Sequence, residues 1–182
     1  MSELPVSNSP RSISPRVIAL GLLLASASAL LAALYAQFAL GLDPCILCLY
    51  QRIPYVVVAL LAALAFQPNL PAPWRSGALA LCAVALLINA GIAFFHVGVE
   101  QHWWAGTASC GAAASSSPVT NLTDLRAVMS GPAPDLPRCD EPAWSLFGIT
   151  MAGYNMLVCL GLGLLTAALV WRGRWSSGQA SS

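Results

Sequence analysis

From Val17 to Leu42 the chain runs for 26 residues without a charged side chain. As an α-helix rising about 1.5 Å per residue it would reach about 39 Å, enough to cross a hydrocarbon layer of about 30 Å with some tilt. Three further blocks follow. Pro44 to Phe66 is interrupted by Gln51 and Arg52 and carries Pro54, a candidate kink. Gly77 to Phe95 supplies 19 uncharged residues, and Ala143 to Trp171 supplies 29, of which 147–171 is the membrane part. All six tryptophans, Trp74, Trp103, Trp104, Trp144, Trp171 and Trp175, flank these blocks. Indole favours the interface, where an apolar ring meets a wet N–H, so the tryptophans support the same boundaries.

Composition agrees with the blocks. Charged residues make up 8% of the chain and hydrophobic residues 58%, against roughly 25% charged in an ordinary soluble domain. Too little polar surface remains to enclose a soluble core. The eight basic residues, all Arg, nearly balance seven acidic ones, which excludes a nucleic-acid binder working through a basic face; the apolar content excludes disorder. The expected fold is all-α: a bundle of four transmembrane helices (17–42, 44–66, 77–95 and 147–171) in a single integral membrane domain, with short tails at 1–16 and 172–182. A cleaved signal peptide ending near Ala25-Ser26-Ala27 is the competing reading of the first block. Apolarity persists through Leu30 to Leu34, which suits a retained helix better.

Orientation follows from arginine. Arg11, Arg16, Arg75, Arg172 and Arg174 share one side of a four-span chain. The positive-inside rule makes that side, and both termini, cytoplasmic. The 47-residue loop 96–142 then lies outside; it holds two Arg and five acidic residues. Its stretch Gly111 to Pro118 reads as flexible linker, and Leu122, Leu125, Val128 and Met129 fit either a short surface helix or a loop with a few buried leucines.

Six cysteines divide by position. Cys82 and Cys159 fall inside apolar spans, where a free Cys behaves as a small hydrophobe. Cys45, Cys48, Cys110 and Cys139 fall on the outer side, which in a bacterial envelope is oxidising. Cys45-Ile46-Leu47-Cys48 is a C-x-x-C at the mouth of the second span, with Asp43 and Pro44 suited to its helix cap and first position. Sulfur at a helix start favours thiolate, the species that attacks or leaves in disulfide exchange, while Asp43 opposes it. A structural disulfide here would close only a tiny loop, and a four-cysteine zinc site would want a second tight pair. Redox exchange suits the placement best. Cys110 and Cys139, read alone, are a structural staple; beside the C-x-x-C they read as a second exchanging pair.

Arg52 lies seven residues after Cys45, about 10 Å further along the helix, and shares a helix face with Cys48. A cation at mid-bilayer costs roughly 2.5–3.5 kcal/mol, so it must snorkel or neutralise something. His96 ends the third span and His102 follows it; each is a candidate cofactor contact or interfacial decoration. Gln37, Asn89 and Asn155 read as helix–helix hydrogen bonds.

Together, Cys45-Ile46-Leu47-Cys48-Leu49-Tyr50-Gln51-Arg52, His96-Val97-Gly98-Val99-Glu100, Cys139-Asp140, Trp144 and Met151-Ala152-Gly153-Tyr154-Asn155 resemble the DsbB family of disulfide bond formation proteins. The resemblance implies a bacterial inner-membrane thiol oxidase that reoxidises a DsbA-like periplasmic partner and reduces ubiquinone or menaquinone from the membrane pool, with its redox cysteines on the periplasmic side. Carried over by residue, Cys110 takes the mixed disulfide and pairs with Cys139, and Cys45 pairs with Cys48, the sulfur nearest the quinone. Arg52 and His96 match residues beside the quinone; Gln51 stands where some members carry an acid. The DsbA–DsbB–quinone relay is the established oxidising route of the bacterial periplasm, with DsbA near about −120 mV. With a glutathione pool at about −180 to −210 mV as the oxidant, electrons leaving DsbA would run uphill by roughly 3–4 kcal/mol, whereas with a high-potential quinone they would not. A vitamin K epoxide reductase-like protein is the enzymatic alternative, and a scaffold stapled by disulfides the non-enzymatic one.

Overall fold

The computed structural model describes residues 13–106 and 138–179, with side chains to Gly173. Four helices dominate it: α1 (Pro15–Phe38), α2 (Ile46–Phe66), α3 (Ala72–Glu100) and α4 (Met151–Gln179), with a two-stranded hairpin, β1 (Ser145–Leu146) and β2 (Ile149–Thr150), immediately before α4. All four are long and apolar enough to cross a membrane, over Pro15–Phe38, Ile46–Phe66, Ala72–Glu100 and Met151–Gly173. The protein is a multi-pass membrane protein of four helices.

The helix ends differ from the limits of the uncharged runs for local reasons. α1 stops at Phe38 because Gly41 turns left-handed (φ 67°) and Leu42 N–H reaches back to Ala36 O. α3 begins at Ala72, before Gly77, because Arg75 does not break it: the guanidinium donates to Ala65 O, Gln67 O and Leu70 O at the neighbouring turn. At its other end α3 continues past Phe95 to Glu100. It closes with His102 in the left-handed region (φ 58°), Trp103 N–H to Gly98 O and His102 N–H to Val99 O, a Schellman arrangement. Residues 147–150, expected to be helical, form the hairpin instead. Its turn residues Phe147 (φ 51°) and Gly148 (φ 77°) are both left-handed, as a two-residue turn requires. α2 runs unbroken through Pro54.

Packing is sequential: α1 on α2, α2 on α3, α3 on α4. The core joins Ala19 and Leu22 of α1, Val58, Ala62 and Ala65 of α2, Leu79, Cys82 and Leu86 of α3, and Cys159 of α4. Small residues let the backbones approach, as membrane helices require in the absence of a hydrophobic drive between them. At Gly163 of α4 a Cβ would stand 3.0 Å from the Leu87 side chain of α3. The α1 and α4 helices, by contrast, do not close on each other. A cavity of about 410 Å³ opens between them, over the first turns of α2.

Candidate functional site

The start of α2 is built by its own cysteine. Cys45, expected to follow a cap at Asp43, is itself the N-cap: its Sγ accepts from Cys48 N–H at 3.3 Å. That contact folds the two sulfurs to 3.0 Å, both as free thiols. A third contact arrives from α3, where His96 Nε2 lies 3.6 Å from Cys45 Sγ. The Cys45 thiol is therefore held well below its ordinary value, at about 4. Hydrogen bonding from the Cys48 side chain is the largest cause; burial opposes it, and His96 lowers it further.

His96 is fixed on both sides. Gln51 Nε2 contacts its Nδ1 at 2.8 Å, and Glu100 Oε1 lies 3.7 Å from its Nε2. Glu100 is anchored in turn by Thr150, whose hydroxyl donates to Glu100 Oε2 at 2.6 Å and accepts from Gly153 N–H at 3.1 Å. One threonine thus caps α4 and ties it to the end of α3. Cys45, Cys48 and His96 offer donor atoms within 4.8 Å of one another, the spacing of a metal triad. An amide nitrogen only donates, so Nδ1 accepts and the ring proton sits on Nε2, facing sulfur. A metal ligand needs that lone pair bare. In this arrangement the triad is a hydrogen-bond assembly around a thiolate.

Arg52 points towards α1, donating to Gln37 Oε1 at 2.8 Å and Ala33 O at 3.5 Å. Both acceptors are neutral. Arg52 and Cys48 line the same cavity, together with Cys45, Gln51, His96 and the α1 alanines Ala29, Ala33 and Ala36. Gln37, Asn89 and Asn155 make inter-helix hydrogen bonds, to Arg52, Cys159 and Gln51 respectively. Cys82 is buried in the core, where among the described residues its Sγ makes a long contact to Val58 O, 3.8 Å, and Cys159 belongs to the same core.

Cys139 is 1% exposed and disulfide-bonded. It shares a small buried cluster with Cys45, Leu47 and Val99, against which Ile46, Cys48 and Phe95 pack. Arg138 and Asp140 flank it in a forked ion pair at 3.1 and 3.2 Å, and the guanidinium holds the Asp140 carboxyl below the usual carboxylate range. Cys110, the linker at 111–118 and the segment 122–129 lie outside the described residues. His102 sits on the exposed turn after α3 and is not part of the cluster.

Sequence reading missed Glu100 and Thr150 as members of this assembly, gave Asn155 only a helix–helix hydrogen bond, and gave Gln51 no positive role. Two signals were available. Glu100 stands four residues after His96, one helical turn on the same face, and Thr150 precedes an apolar run as a cap does.

Comparison with known proteins adds to this picture. A family profile described as "Disulfide bond formation protein DsbB" matches residues 15–169. A curated "Disulfide bond formation protein B 2" of Pseudomonas syringae pv. syringae (strain B728a) is 34% identical over 148 residues, 78% of this chain and 80% of that one. The "Disulfide bond formation protein B" of Aromatoleum aromaticum is 34% identical over 157 residues, covering 82% and 87%. That of Xanthomonas campestris pv. campestris (strain 8004) is 33% identical over 144 residues, covering 78% and 81%. No solved structure matches the chain.

Proposed function

Because the chain belongs to the DsbB family of disulfide bond formation proteins, we propose that it is a quinone-dependent protein-thiol oxidoreductase which reoxidises a DsbA-like periplasmic thiol oxidase. It acts in the bacterial inner membrane, with both termini cytoplasmic and Cys45, Cys48, Cys110 and Cys139 on the periplasmic side. One observation carries this reading. The Cys139 sulfur shares a buried cluster with Cys45, while Cys45 and Cys48 wall a cavity between membrane helices. A sulfur path from a loop to an intramembrane cavity is what an oxidase with a lipid-soluble acceptor needs.

The cavity suits a quinone ring. About 410 Å³ is enough for a flat aromatic head, alanines of α1 form an apolar wall, and Arg52 and His96 supply polar atoms at the rim. Arg52 would hold a carbonyl oxygen, since its acceptors are neutral and its charge is otherwise uncompensated by them. A quinone held there, ubiquinone or menaquinone, supplies the terminal oxidant, taking two electrons and two protons for each dithiol closed to a disulfide.

The chain's own cysteines do the rest by exchange. The partner's thiolate attacks Cys110 of a Cys110–Cys139 disulfide, and Cys139 leaves as thiolate. The partner's second thiol then displaces Cys110, so one disulfide is passed on and one dithiol is received. The Cys110/Cys139 dithiol repeats the exchange on Cys45–Cys48, from the cluster in which Cys139 and Cys45 already pack. Cys139 attacks Cys45 and Cys48 leaves as thiolate, facing the cavity; when Cys110 resolves the Cys139–Cys45 mixed disulfide, Cys45 leaves in turn as a thiolate that the donors from Cys48 and His96 stabilise. The DsbB family match also favours this reading over a vitamin K epoxide reductase-like enzyme.

Purified protein in lipid tests the proposal. Reduced DsbA-like partner is expected to be oxidised only when quinone is added, with a mixed disulfide trapped at Cys110. Oxidation at equal rate in quinone-free lipid, or a scaffold-like absence of any mixed disulfide, would overturn it.

A further inference from the structure

A line of hydrogen bonds crosses the bundle and ends at the cysteine pair. Cys159 S–H reaches Tyr55 Oη at 3.1 Å, and Tyr55 donates to Asn155 Oδ1 at 2.5 Å. Asn155 Nδ2 donates to Gln51 Oε1 at 2.5 Å, and Gln51 Nε2 donates to His96 Nδ1 at 2.8 Å. His96 Nε2 then faces Cys45 Sγ at 3.6 Å, with Glu100 Oε1 at 3.7 Å. The line steps between α4 and α2 and enters α3 only at its last link.

We propose that Tyr55, Asn155 and Gln51 are positioning residues: a one-way relay that keeps the His96 proton on Nε2, so that the ring serves Cys45 as a hydrogen-bond donor and not as a base. The inference rests on the redox reading of Cys45 and Cys48 and adds the division of labour around them. The physical reason lies in the amide group. A carboxamide that accepts at oxygen presents only donors at nitrogen, so each amide hands its direction to the next. A neutral imidazole has one donor and one acceptor, and an acceptor at Nδ1 leaves the donor at Nε2. Gln51, Tyr55 and His96 are 7%, 7% and 4% exposed. Reversing one link there would set donor against donor between buried groups.

The consequence is chemical. With Nε2–H aimed at sulfur, the proton lost when Cys45 becomes thiolate does not move to His96, and the ring stabilises the anion without changing charge. Glu100 Oε1 lies 3.7 Å from the same nitrogen, on the side of the ring away from Gln51. An acid at position 51 would accept from Nδ1–H; the glutamine here donates to Nδ1 instead.

Nitrogen NMR of the imidazoles in the full, lipid-embedded, reduced protein tests this directly. The chain has two histidines, and His102, outside the cluster, serves as the internal reference. His96 is expected to show a protonated Nε2 and a bare Nδ1. Gln51→Glu is expected to protonate Nδ1 as well, and Asn155→Leu and Tyr55→Phe to give mixed tautomers while His102 is unmoved. Gln51→Leu should slow alkylation of Cys45 by up to about tenfold only below about pH 4, the effect of about one pKa unit on a thiol held at about 4, with little change near neutral pH. A bare Nε2 in the unsubstituted protein, or an unchanged His96 spectrum in both Gln51→Glu and Asn155→Leu, would overturn the relay. Quinone-linked turnover with the wrong tautomer sinks the relay alone; the expected tautomer without such turnover sinks the oxidase reading alone.

Discussion

Cys45 and Cys82 are both buried thiols on one bundle, 5% and 0% exposed, yet they sit in opposite chemical settings. Cys82, among Val58, Leu79 and Leu86, has for company one backbone carbonyl at 3.8 Å. An acceptor next to a thiol does nothing for a thiolate. Cys45 gathers three donors instead: Cys48 N–H, Cys48 S–H and His96 Nε2–H. Burial alone makes sulfur inert, and burial with converging donors makes it reactive. The two ends of the bundle differ in the same way. Where α1, α2 and α3 meet around Ala62, Ala65 and Ala78 the buried side chains are small and apolar, while the Cys45 end carries the buried polar side chains Gln51, His96, Glu100 and Thr150.

The sharpest way to break this contrast is to exchange the sulfurs' fates. Cys48→Ser is expected to abolish quinone-linked turnover, by about a thousandfold or more as for other essential nucleophiles, whereas Cys82→Ala leaves it intact. Full turnover by Cys48→Ser would erase the distinction. Arg52→Ala comes next. Loss of a charge-assisted hydrogen bond of about 1.5–3 kcal/mol should raise the quinone requirement about tenfold or more, read as apparent KM. An unchanged requirement would reduce Arg52 to an α1 contact.

The pH dependence sharpens the same comparison. With its thiol held at about 4, Cys45 in the reduced protein should alkylate at a nearly constant rate between about pH 5 and pH 8, where an ordinary thiol of about 8.5 gains roughly tenfold per unit. The lowered value also stabilises the folded reduced form. That contribution is complete above the unfolded thiol's pKa, declines as pH falls and is gone below about 4. A reduced protein whose stability does not fall across this acid range would contradict it. Gly163→Leu, where a Cβ already meets Leu87 at 3.0 Å, should cost about 1–3 kcal/mol by overpacking, and Cys82→Ala about 1 kcal/mol or less, both measured by denaturation in lipid or detergent.

Glycine and tryptophan at the active end show how far sequence patterns reach. A Cβ at Gly98 would fall inside the Trp104 indole, which stacks on Phe95 at 5.8 Å and 13° and donates to Phe95 O at 3.0 Å. The boundary tryptophans were legible as interface markers; that Trp104 folds back over its own helix was not. The hairpin before α4 was equally hidden. Residues 147–150 are apolar enough to read as the start of the fourth helix, and only the left-handed Phe147 and Gly148 mark the stretch as a turn.

The run lengths, the missing charges and the C-x-x-C of Cys45 and Cys48 were enough, by themselves, to establish four membrane helices and a candidate redox pair, because hydrophobic length and local motif spacing are properties of neighbouring residues. Which groups surround those sulfurs was decided by packing alone. Gln51 and His96 are 45 positions apart, and Asn155 and Gln51 are 104 apart. Such partners meet only when packed helices, α2 antiparallel to α3 and parallel to α4, settle at one register, and a buried hydrogen bond exists only where that register puts donor against acceptor.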